Sequence, residues 1–163
     1  MHETKTIDNM GDKLIEIHDA LREQLDRVRS EADAHFAAAA ESAEPPKPGL
    51  GLQLRQHCLT FCEFLTFHHD SEENGVFPSL AEHHPHLREP IDRLREEHKV
   101  VNRLKDEIAA LVGDIELFDA AAFATELESM TDRLHAHLDY EETELIPVLA
   151  EIPFPPVAPP DTP

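Results

Sequence analysis

Tryptophan is absent from this 163-residue chain, tyrosine occurs once and cysteine twice. Basic residues are scarce as well: 14 Lys and Arg against 34 Asp and Glu give a formal charge of −20. So acidic a chain repels phosphate backbones and anionic headgroups, which argues against nucleic acid and membrane surfaces as partners. No apolar run approaches the roughly 18 residues that a membrane-spanning helix needs. The opening MHETKTIDNM lacks the apolar stretch of a secretory leader, so a cytoplasmic location is expected, with Cys58 and Cys62 reduced. The 40 % hydrophobic content argues against wholesale disorder, and the length suits one domain with a single core. No segment alternates with a period of two for long enough to make a sheet. Against these shortages stands one excess, twelve histidines. Such neutral donors in an acidic chain point to metal.

Proline and glycine divide the chain. Residues 44–49 (EPPKPG) read as a linker, and 153–163 (PFPPVAPPDTP), with six prolines, as a disordered or polyproline tail. Pro78, Pro85 and Pro90 mark a second break, and Gly113-Asp114 a third. Four segments remain, about 7–42, 50–77, 88–112 and 118–151, each with apolar residues at alternating steps of three and four. That spacing predicts an all-α, up-down-up-down four-helix bundle over residues 1–152.

Each predicted inner stripe carries a histidine: His18, His68, His98 and His137. The second and fourth stripes add a glutamate one turn on, Glu72 and Glu141. An unpaired buried carboxylate costs several kcal/mol or is forced neutral, so six such groups in one small core must satisfy one another or a cation. Residues 68–78 (HHDSEENGVFP) and 137–147 (HLDYEETELIP) repeat each other in phase. The His68/Glu72 frame is preferred to the overlapping His69/Glu73 frame because it falls on the stripe. A His and a Glu four apart project from one helix face, and a carboxylate with two oxygens can bridge two cations.

This pattern resembles the hemerythrin-like (HHE cation-binding) family, whose four-helix bundles hold a non-haem di-iron centre, and the resemblance covers about residues 7–150. Carried over by position, it implies His18, His68, Glu72, His98, His137 and Glu141 as ligands of two Fe ions, oxo- or hydroxo-bridged with glutamate bridges. Ferritin-type bundles use Glu-x-x-His instead, a motif absent here. Oxygen-carrying members place a second His where this chain has Asn102, and an Asp where it has Glu142. One iron would thus lack its third imidazole and keep an exchangeable position, which is closer to the iron-centre-repair and nitric-oxide-reactive members. The function so implied is reaction with O2, hydrogen peroxide or nitric oxide in redox or stress defence, with an oxidoreductase activity left open. The alternative is reversible O2 or iron binding and sensing without turnover. The partners implied are the small-molecule ligand and, for turnover, a reductase; a monomer or dimer is expected.

Other residues have plainer readings. The cluster His83-His84-Pro85-His86 reads as a solvated loop, His35 as packing or capping, and the two cysteines as small hydrophobes. Phe61, Phe64, Phe67 and Phe77 read mostly as core. Tyr140, one turn from His137, is the candidate to reach the centre from its rim, and Asn102 is a second, separate candidate near the centre. Asp70 and Asp139 are candidates to orient ligand imidazoles through their second ring nitrogen.

Overall fold

The computed structural model describes residues 7–41, 48–113 and 120–154. Its elements are α1 (Met10–Glu41), α2 (Pro48–Ser71), a π-helical turn (Glu72–Val76), α3 (Phe77–His83), a 3-10 turn (Pro85–Leu87), α4 (Arg88–Gly113) and α5 (Ala120–Leu149). The π turn joins α2 to α3 as one continuous arm, so the bundle has four long helices, and α1, α2, α4 and α5 pack in that cyclic order. The four-helix expectation holds.

The helices start where backbone chemistry lets them. Asn9 caps α1, its Oδ1 accepting the Asp12 N–H at 2.9 Å. Pro78 does not end the second segment as its ring suggests. It falls in the first turn of α3, where a missing N–H costs nothing, and the wider π turn before it carries the Phe77 N–H to the Glu72 carbonyl. Pro48 and Gly49 of the expected linker are helical; residues 44–47 lie outside the described residues, as does Asp114 of the third break.

The first residues of the expected tail, Pro153 and Phe154, lie against the start of the chain. The Met10 N–H donates to the Ile152 carbonyl at 2.8 Å, and the Phe154 N–H to the Asp8 carbonyl at 3.3 Å. Residues 155–163 lie outside the described residues. Gly11 permits this clasp: a Cβ there would lie 3.0 Å from Asn9 Oδ1 and 3.3 Å from the Ala150 nitrogen. Apart from the isolated bridge between Asn9 and Pro153, the described residues hold no strand.

The core falls into two apolar clusters. The larger includes Leu21, Leu25, Cys58, Phe61, Leu65, Val101, Met130 and Leu134. The smaller includes Leu14, Phe77, Ile91, Leu94, Leu145 and Leu149. On every long helix the predicted polar residue lies between members of the two: His18 between Leu14 and Leu21, His98 between Leu94 and Val101, His137 and Glu141 between Leu134 and Leu145. On the second arm, His68 and Glu72 fall between Leu65 and Phe77. A polar layer thus crosses the bundle with apolar packing above and below it.

Candidate metal centre

The layer contains two groups of four donors. His18, His68, Glu72 and Glu141 form one; His69, Glu72, His98 and His137 form the other, and in each the ligating atoms lie within 4.8 Å of one another. All seven residues are buried, and Glu72 belongs to both groups. The six residues singled out in the sequence therefore meet in one layer, and a seventh, His69, joins them. Its ring stacks on His98 with centroids 3.8 Å apart. The choice between two overlapping frames on α2 disappears: His68 and His69 serve different groups, and Glu73 has another task.

That task is shared by two other glutamates. His98 Nδ1 pairs with Glu73 Oε1 at 2.8 Å, His137 Nδ1 with Glu97 Oε1 at 2.8 Å, and His18 Nδ1 with Glu142 Oε2 at 2.9 Å. Each glutamate is held in turn by an arginine: Glu73 by Arg95 at 3.2 Å, Glu97 by Arg93 at 3.2 Å, and Glu142 by Arg22. A carboxylate at Nδ1 fixes the ring and leaves Nε2 free to ligate. Asp70 and Asp139, the expected orienters, do not do this. Asp139 bonds Arg22 at 3.1 Å, and Asp70 is exposed. A sequence signal for the true set exists: Glu73, Glu97 and Glu142 each adjoin an inward residue (Glu72, His98, Glu141). One helical step turns a side chain about 100°, from the bundle axis to the boundary with the neighbouring helix.

Electrostatics point the same way. Burial pushes the His68 pKa down to about 3 and that of His98 down to about 2, so both rings stay neutral, the form that ligates metals. His69 is likewise driven well below its ordinary value by burial and by the neighbouring rings. Burial pushes Glu141 upward, resisting its charge. Burial opposes protonation of His18, but Glu141 and Glu142 outweigh it and raise the pKa.

The layer fits cations on its own geometry. Nε2 of His18, His68, His98 and His137, both nitrogens of His69 and all four carboxylate oxygens of Glu72 and Glu141 are buried without a hydrogen-bond partner. The closest approaches are His18 Nε2 to Glu141 Oε2 at 3.0 Å, His98 Nε2 to Glu72 Oε1 at 3.3 Å and His68 Nε2 to Glu72 Oε1 at 3.4 Å. These are neighbouring atoms rather than aligned hydrogen bonds. Each orphaned polar atom costs about 1–3 kcal/mol. Ten of them converging on one layer are untenable in a stable bundle unless cations take them up.

The remaining candidates lie outside the two donor groups. The Tyr140 ring packs with the smaller apolar cluster and under the Arg93 guanidinium, 3.8 Å from its centroid. The chain Arg93–Glu97–His137 links it to the layer. Asn102 lines a surface cleft and faces Lys105 Nζ at 3.5 Å. Phe77 stacks on His98 with centroids 5.3 Å apart, whereas Phe67, expected in the core, is 71 % exposed. His35 is buried against Phe36, both cysteines are buried and unpaired, and His83 to His86 lie in neither donor group.

The family model described as the hemerythrin HHE cation binding domain matches residues 9–149. No curated protein and no solved structure matches the chain.

Proposed function

This chain belongs to the hemerythrin HHE cation-binding family, and from that premise we propose that its polar layer holds two iron ions that react with a small oxidant: O2, hydrogen peroxide or nitric oxide. One observation carries the reading, the sharing of Glu72 between two buried donor groups. A carboxylate has an oxygen for each of two adjacent cations, and five imidazoles with two carboxylates suit a borderline ion such as iron. Bound iron would supply electron exchange with a small ligand.

The protein's own part is to bind, orient and exclude water. The first group offers two imidazoles and two carboxylates, the second three imidazoles and the shared Glu72. More negative charge stands at the first, which favours the more highly charged cation there. That inequality suits electron exchange better than passive storage. Glu73, Glu97 and Glu142 orient three rings through Nδ1. The two apolar clusters, with Phe77 against His98, close the layer to bulk water from above and below along the bundle. A second reading, reversible binding or sensing of O2, draws support from His69, which gives the second group the third imidazole that Asn102 does not provide.

The test is anaerobic reconstitution with Fe(II), metal analysis, and stopped-flow absorption after mixing with O2, peroxide or nitric oxide. Two irons per chain with catalytic consumption of peroxide or nitric oxide support the first reading. An adduct that releases O2 on deoxygenation, without turnover, transfers support to the second. Two irons retained in Glu72→Ala would overturn the shared-carboxylate assignment.

A further inference from the structure

The two donor groups differ in their relation to the surface. A cleft of about 380 Å³ opens between α2 and α4, and His69 and His98 of the second group line it. His18, His68 and Glu141 of the first group do not. Both ring nitrogens of His69 lack a hydrogen-bond partner although the residue is only 1 % exposed. An unpartnered imidazole therefore stands at the inner wall of an open cleft.

The outer walls carry charge of one predominant sign. Four carboxylates (Asp70, Glu73, Asp92, Glu96) stand against two cations, Arg95 and Lys99. The cations are engaged, Arg95 with Glu73 at 3.2 Å and Lys99 with Glu96 at 2.7 Å. Asp70 and Asp92 are exposed and make no ion pair among the described residues. A cleft with this balance attracts a positive ion and gives no advantage to neutral O2, peroxide or nitric oxide.

We propose that this cleft is the route by which a hydrated divalent cation reaches the buried layer: Asp70 and Asp92 draw it in, and His69 is the first imidazole it meets. The inference rests on the cation-binding reading of the layer and adds to it a direction of access. Carboxylate oxygens on the walls can replace water ligands of the ion before a ring nitrogen does, so dehydration is spread along the path. No carboxylate holds the His69 ring at either nitrogen, so its donor atoms are not engaged when an ion arrives.

The experiment follows cobalt(II) uptake by the full chain, depleted of metal with a chelator and checked by circular dichroism for retained helix. Stopped-flow visible absorption gives the rate and elemental analysis the final content. In the double variant Asp70→Asn/Asp92→Asn, uptake at low ionic strength is expected to slow roughly tenfold, the lower end of electrostatic steering. The deficit should vanish near about 1 M salt, where charges are screened within a few ångströms. Final stoichiometry should equal that of the native chain, and Asp92→Glu alone should keep the native rate. If depletion unfolds the chain, exchange of isotope-labelled Fe(II) into loaded protein reads the same difference. Normal stoichiometry at an unchanged rate, or a deficit that persists in high salt, overturns the route alone. A native chain that takes up no cobalt or iron overturns the cation reading and the route with it.

Discussion

The histidines of the polar layer are of two kinds. His18, His98 and His137 come singly from α1, α4 and α5, and each is backed by a glutamate that an arginine holds. His68 and His69 come as sequence neighbours from α2, and His69 has no hydrogen bond at either nitrogen. The contrast separates rigidity from reach. Three backed rings fix where the layer lies, while the α2 pair spreads over both donor groups, and only its His69 lines the cleft, beside His98.

The heaviest blow to that arrangement is Glu72→Ala, which removes the one carboxylate common to both groups. Loss of metal from both is expected, together with the part of the melting temperature that depends on bound cation, measured by metal analysis and calorimetry. His69→Ala sharpens the comparison: metal content should fall toward one ion per chain, where a single-frame reading of His68/Glu72 expects two.

Acid tests the two kinds of histidine by sign. The folded pKa values of His68 and His98, about 3 and about 2, lie below the unfolded 6.5. Between those limits the unfolded chain binds more protons, so stability is full above pH 6.5 and falls as pH drops. The slope is about 1.4 kcal/mol per pH unit for each group. His18 runs the other way: its raised value gives stability that is full below 6.5 and lost as pH rises through the folded pKa. Thermal melts of metal-depleted protein from pH 7 to pH 4 should therefore show net loss toward acid, because His68, His69 and His98 outnumber His18 and Glu141, whose raised values act the other way. Bound metal should be released as acid unfolds the chain, since His68 and His98 keep neutral imidazoles in the folded state across that range.

Smaller effects follow from the backing residues. Glu97→Ala or Glu73→Ala should weaken metal binding about 10–100-fold, the usual cost of removing a partner that orients a ligand. Competition with a chromophoric chelator measures this. Arg93→Met should act more weakly still. Its pair with Glu97 is partly exposed and worth no more than about 1 kcal/mol. It should shift the chelator titration slightly and leave stoichiometry unchanged.

The stripes were legible in sequence because burial on a helix repeats every three to four residues. Leu14, His18, Leu21, Leu25 and Val28 are all buried as their spacing requires, and the six polar stripe residues share one layer because each sits at a similar height. Three features were hidden. His69 lies off the stripe by one position, and only the approach of His98 and His137 from other helices gives it a role. The backing glutamates act between helices: each adjoins an inward residue in sequence, but only the neighbouring helix shows which ring it holds. The attachment of residues 152–154 rests on hydrogen bonds between residues more than 140 positions apart, such as Phe154 to Asp8, which composition cannot register.

The adjacency of His68 and His69 sets the orientation of the whole centre. Neighbouring residues on a helix diverge by about 100° around its axis while rising only about 1.5 Å along it. Two donor groups fed by such a pair must stand side by side around α2 rather than stacked along it. Sliding α2 lengthwise would carry both imidazoles together and leave their balance intact. Twisting it would press one ring inward as it withdrew the other, so torsion of this single helix is the motion that tells the two positions apart.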